Sequence, residues 1–158
     1  MMAIHKIQID DFDVANYEVI AIHATVEDYK LAYLLNQTLA IQLSKSNCPI
    51  ELQSKQGKSN FQLFIYEDEI QDVCWSLIEN HSIITEENEV SIGIFDAIET
   101  RSYLLPEIKK ADFILKIENN DTQFDSIEFA QKINQITQVS TAYPVDIANF
   151  KSKNNLIF

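Results

Sequence analysis

Few residues in the chain have the types and spacing that chemistry demands: His23, the carboxylates Glu107 and Asp112, and the tyrosines Tyr29 and Tyr33. His23 ends the apolar stretch YEVIAIHA, just before an expected helix start. An imidazole there could serve as a general base or a ligand, but without a partner close in sequence a hydrogen-bonded structural histidine is the simpler expectation. Glu107 and Asp112 could form an acid–base pair, since such pairs need only spatial proximity. With Pro106 and Lys109-Lys110 beside them, capping and charge pairing are the favoured roles. An enzyme reading requires His23 to meet Glu107 or Asp112 in one cleft. Tyr29 and Tyr33, one helical turn apart, could edge a groove, although packing at the core margin is favoured.

Other chemistry lacks its usual signals. Gly57 and Gly93 stand alone, so no glycine-rich loop cradles a phosphate. The histidines and the isolated Cys48 and Cys74 lack metal-ligand spacing, and no nucleophile elbow occurs. The acidic cluster Asp10-Asp11-Phe12-Asp13 lacks the alternating ligands and glycine of a calcium loop and reads as a solvated turn. The expectation is therefore no catalytic residue, no metal and no cofactor. The net charge of −12 repels phosphate backbones and anionic lipid, which argues against nucleic-acid and membrane partners. Arg101 is the only arginine, leaving one candidate at most for a forked anion clamp. No signal peptide or run of about 18 apolar residues is evident, and the unpaired cysteines suit a reducing compartment, so a cytoplasmic location is expected.

The elements that must position these residues follow from periodicity. Tyr17 to Ala24 alternates Val19 and Ala21 against Ile20 and Ile22, all apolar, as a central strand buried on both faces would. Thr25 is the expected cap of a helix carrying Leu31, Leu34, Leu35 and Leu39 on one stripe. Strands are expected at residues 41–44 and 50–54, then a polar turn around Gly57. Residues 61–67 and 73–78 read as an antiparallel hairpin with Trp75 in the core. Residues 81–88 read as a loop, followed by strands at 90–95 and 98–104. Asp125 or Ser126 is expected to cap a second helix that buries Ile127, Ala130, Ile133 and Ile136 or Thr137. Residues 139–145 form a strand that Pro144 confines to an edge.

Between Leu104 and Phe113 the local chemistry is most restrictive. Pro106 disfavours helix at Leu105, stops the incoming strand and suits the start of one short turn. Asp112 then leads into the buried strand FILKI. In Leu105-Pro106-Glu107 followed by Ala111-Asp112-Phe113, the spacing resembles that of the bacterial family called the IPExxxVDY family. Proline, glutamate and aspartate match, while Leu105, Ala111 and Phe113 stand where the family name has Ile, Val and Tyr. The similarity extends to Ile9-Asp10-Asp11-Phe12, to Glu27 through Asn36 and to the end of the chain. Membership implies no reaction, since the family carries no assigned activity. Phe113 lacks the hydroxyl of the family's tyrosine, so only a packing role for that ring would carry over.

Apolar residues at 46% and only two glycines fit one domain, residues 1–150, with a tail at 151–158 that docks on it or offers a peptide to a partner. Strand–helix–strand occurs twice, near residues 17–44 and 112–146. The expected fold is α+β: two layers, a mostly antiparallel sheet with two main helices packed on one face, and split βαβ-like elements. The expected function is a small non-catalytic interaction or regulatory module acting through a protein partner or homo-oligomer. The alternatives are a small-ligand sensor and an enzyme built on His23 with Glu107 or Asp112.

Overall fold

A continuous alternation of apolar side chains makes β1, Tyr17–Ala24, the strand on which both layers are built. The computed structural model describes residues 17–84, 100–119 and 125–158. The expectations for residues 4–13, for a strand at 90–95 with Gly93, and for all but the first residue of a turn at 119–122 lie outside them; Asn119 itself ends a strand. β1 pairs antiparallel with β9, Phe113–Asn119, on one side and with β10, Val139–Val145, on the other. β9 continues to β6, Val73–Glu79, then β5, Leu63–Asp68, and finally the two-residue edge β2, Ser44–Lys45. The sheet order is β10-β1-β9-β6-β5-β2, and every adjacent pair is antiparallel.

Two helices connect strands of this sheet. Helix α1, Asp28–Leu39, follows β1, and helix α2, Ser126–Asn134, joins β9 to β10. β9 and β10 flank β1 and run parallel to each other, which is a split βαβ unit. Both helices cover one face. Ile20, Ile22, Trp75, Leu77, Phe113, Leu115 and Ile117 point from the strands into a core closed by Leu31 and Leu35 of α1 and Ala130 and Ile133 of α2. The expected α+β architecture is the one observed.

Local differences have physical causes. Thr25 does not cap α1; Glu27 occupies the N-cap without a side-chain bond, while Asp28 places a charge at the positive end of the dipole. On α2, Asp125 caps as expected, its Oδ1 accepting the Ile127 and Glu128 N–H groups at 3.0 and 3.2 Å. Ile127, expected inside, is 61% exposed, because the helix turns Ala130 and Ile133 to the sheet and Phe129 meets the Trp75 ring edge-on at 5.2 Å. Strand pairing at residues 41–44 shifts to Ser44–Lys45, because the Asn36 carboxamide takes both backbone groups of Leu43. The polar turn around Gly57 shrinks to Lys55-Gln56 in a hairpin of β3, Ile50–Ser54, and β4, Gly57–Phe61. Gly57 supplies the positive φ of 143° that leaves the turn. The loop expected from His81 begins with β7, His81–Ile83, which pairs with β8, Arg101–Tyr103.

The second face of the sheet is also covered, but by irregular pieces. Val19, Ala21, Leu63, Ile78 and Ile114 face Ile50 and Phe61 of the β3–β4 hairpin, the Leu104-Leu105 corner, and Leu156 from the last described segment. That segment, residues 147–158, runs as a strap from the end of β10 and carries a short 3-10 turn at Lys153–Leu156.

Candidate functional site

Site geometry begins with the Leu104–Phe113 corner, because it fixes both the strand ends and the strap. Pro106–Ile108 is a single 3-10 turn with proline at its start. Leu104, Leu105 and Ala111 are buried, so the corner is a plug in the second core. Its frame is Asn80, which is fully buried. The Asn80 side chain accepts the Leu105 N–H at 2.8 Å and donates to the Ile108 and Ala111 carbonyls at 3.1 and 3.0 Å. The Asn80 backbone donates to Asp112 and accepts from Leu104. Each polar group of one side chain is thus spent on holding the corner's shape.

The two motif carboxylates are committed to neutral donors rather than to lysine partners. Asp112 accepts the Ala24 N–H at 2.9 Å and so ties the corner to the end of β1. Glu107 reaches the strap, accepting the Ser152 N–H at 2.9 Å and the Ser152 hydroxyl. Slight desolvation works to raise the Glu107 pKa, but the Ser152 hydrogen bonds outweigh it and hold the group below the usual carboxylate value. Phe113 is buried among the helix-face residues, which fits a packing role for that ring.

The candidate residues are dispersed. His23 shares its strand end with Asp112, but its Nε2 lies 2.9 Å from the Tyr143 hydroxyl. Tyr29 and Tyr33 stand on the outward side of α1, 63% and 59% exposed, rather than packed at the core margin. Tyr33 accepts a hydrogen bond from Gln37 at 2.8 Å. Two groups that the sequence reading did not single out are perturbed. Burial, then the nearby Asp28 charge, raises the half-buried Glu79 carboxyl. Burial, then Glu118, raises the Cys74 thiol. Among the described residues, no cluster of His, Cys, Asp and Glu is arranged to hold a metal ion, and no helix is long and apolar enough to cross a membrane.

Lys116 is the least expected charge, standing in mid-strand on β9 with its side chain only 4% exposed. Burying an ammonium costs several kcal/mol unless it is paired and hydrogen-bonded. Its Nζ donates to the Leu156 carbonyl at 2.6 Å and meets Glu118 at 3.0 Å. The rings of Phe158 and Tyr17 lie 4.5 and 4.9 Å from it by their centroids. Together with Glu107–Ser152 and a 2.8 Å bond from Asn155 to the Leu104 carbonyl, Lys116 fastens the strap across the sheet.

Beside this fastening lies a cleft of about 420 Å³. Ile50, Leu52, Leu63 and Ile65 form its apolar lining from the strands, and Ile157 and Phe158 form a wall from the strap. Ser46, Glu51, Asn154 and Asn155 supply polar groups. His23, Glu107 and Asp112 do not line it. The residues that build it are ordinary strand and tail residues in sequence, and the one hint was the tail at 151–158, expected to dock on the domain or to offer a peptide to a partner.

No protein-family model matches the chain, and neither does any curated protein or solved structure.

Proposed function

We propose that the protein is a small non-catalytic interaction or regulatory module, of the IPExxxVDY family that its Leu105–Phe113 motif resembles. The observation that carries this reading is the contrast between committed and uncommitted surface. The motif carboxylates are bound to backbone N–H groups, whereas Ile157 is 63% exposed on the wall of an open cleft, and Phe158 beside it, though its ring meets Lys116, is still 53% exposed. Exposed apolar groups rimmed by polar ones suit recognition of a partner. A cytoplasmic setting belongs to the same reading. The test is affinity capture with the intact protein and with an Ile157→Ser/Phe158→Ser variant of unchanged melting temperature. A partner recovered by the first and lost by the second is expected; identical recovery would overturn the reading.

A second reading, a small-ligand sensor, is favoured by the cleft volume, which falls at the small end of the ligand-pocket range of about 300–1,000 Å³. A metabolite panel that leaves the melting temperature unmoved would remove its support.

A further inference from the structure

The β3–β4 hairpin leaves one strand edge open. Its two-residue turn makes Ser54 and Gly57 a hydrogen-bonded pair, and the pattern then alternates along the ladder. Leu52 with Ser59 and Ile50 with Phe61 bond across the hairpin, whereas Glu51 with Asn60 and Gln53 with Lys58 do not. The Asn60 carbonyl confirms this phase, because it turns away from β3 and accepts the Ser82 hydroxyl of β7 at 2.7 Å. Glu51 and Gln53 therefore direct their N–H and carbonyl groups off the free side of β3. Among the described residues, none bonds to these main-chain groups. β3 has no proline between Ile50 and Ser54 to obstruct an added strand.

This edge borders the cleft. Glu51 reaches the cleft wall through its main chain, since its side chain lies on the opposite strand face, 3.4 Å from Lys58. Leu52 on the cleft side of β3 and Ile65 of β5 are only partly buried, and Ile157 and Phe158 are more than half exposed on the far wall. An extended chain laid along β3 would present its two faces to different surroundings. Its residue opposite Leu52 would point to these apolar groups, and its residues opposite Glu51 and Gln53 would point outward. Opposite charges favour a directly facing pair and like charges disfavour it, so the position facing Glu51 selects lysine or arginine. The net charge of −12 acts in the same direction at longer range, and it repels a second copy of the chain from this edge.

We propose, resting on the interaction-module reading, that the free edge of β3 binds an extended, basic segment of a protein partner by strand addition. Main-chain bonds to Glu51 and Gln53 supply the attachment, and alternate apolar residues of the segment seat against Leu52, Ile65 and Ile157.

The test titrates the full 15N-labelled chain, at low salt, with three blocked five-residue peptides. The first reads threonine–valine–lysine–valine–threonine, the second has glutamate in place of lysine, and the third keeps the lysine but is N-methylated at its amide. The first is expected to shift the Glu51 and Gln53 amide signals and slow their hydrogen exchange, binding about threefold tighter than the second. The third lacks the central donor and is expected to bind at least about tenfold more weakly than the first. Equal binding of first and third would mean adsorption to the apolar wall and would overturn strand addition. Gln53→Pro removes one edge N–H without removing a bond of the hairpin, so it should abolish binding of the first peptide at unchanged melting temperature. Edge amides already protected in the free protein would also overturn the proposal, the occupant being a second copy if sedimentation finds a dimer and the chain itself if it finds a monomer. A partner lost from the Ile157→Ser/Phe158→Ser variant but kept by Gln53→Pro would overturn strand addition and leave the module reading standing.

Discussion

The two faces of the sheet are buried by different means. On the helix face, stripes of apolar residues on α1 and α2 lie against alternating strand residues, and the core needs few polar contacts. On the strap face a smaller set of apolar side chains is covered by a hairpin, a corner and a strap, none of which carries a long apolar stripe. Specific polar fastenings hold those pieces: Asn80 in the corner, Lys116 under the strap, Glu107 on Ser152. On the face covered by repetitive packing, Leu31, Leu35, Leu77 and Leu115 are all but inaccessible. The face covered by fastened pieces leaves a cleft, and irregular coverage of this kind is where binding surfaces are usually found.

The largest expected effect tests whether polar fastening matters as much as packing. Leu35→Ala on the helix face should cost about 2–5 kcal/mol, the range for a buried leucine truncation. Asn80→Ala removes a side chain that serves three buried or half-buried backbone groups, and should cost about 3 kcal/mol, with each orphaned group counting about 1–3. Denaturant unfolding of both variants decides it. A loss below about 1 kcal/mol for Asn80→Ala, under the net worth of one hydrogen bond, would break the comparison.

A smaller effect concerns the sheet edges, where the two strand–helix–strand units share a device. Asn36 near the end of α1 bonds both backbone groups of Leu43 at 2.7 and 3.1 Å, and Asn134 at the end of α2 bonds both of Ala142 at 2.7 Å. Ala142 stands opposite Ile22, whose carbonyl is turned to the β9 side, so the Ala142 groups point off the sheet. Pro144 follows on the same outward row and has no N–H to offer. The β10 edge is thereby blunted against strand addition. Asn134→Ala should cost about 1–2 kcal/mol and increase concentration-dependent association, read by light scattering. Association unchanged at equal stability loss would mean that Pro144 alone protects the edge.

The smallest effect is electrostatic. Glu107 is held below its ordinary pKa in the folded protein, so its contribution to stability is present above the unfolded carboxylate value of about 4.3 and is lost as pH falls through the folded one. Glu107→Gln should flatten the melting-temperature profile in that acid range and change it little at neutral pH beyond a constant offset. Because the group is mostly solvent-exposed, the difference should be a few degrees at most. An acid limb identical in the two proteins would remove Glu107 as a fastening of the strap.

Much of the helix face was legible in the chain. Period-two alternation in YEVIAIHA and FILKI, the leucine stripe of α1, the Asp125 cap, Pro106 at the start of a turn and Pro144 at an edge are local rules, and each acts within a few residues. Local rules misled where a competing bond decided the outcome, as when Asn36 clamped Leu43 and moved the edge strand to Ser44–Lys45. They also misled at Ile127, which the helical period places on the buried side and the docking of Ala130 and Phe129 turns outward.

What the sequence determined by itself was the α+β plan, because strand and helix periods are written in neighbouring residues. What only the tertiary structure decided was the strap face and its cleft. The bonds that create it join residues 25 to 51 positions apart, Leu105 to Asn80 and Asn155 to Leu104 among them. An asparagine or a lysine in a strand pattern reads as a solvated residue until the chain folds back over it. Asn80 and Lys116 are buried because the corner and the strap bring carbonyls and an amide N–H to meet their polar ends, with Glu118 of the same strand beside Lys116, and no local pattern encodes the meeting with corner and strap.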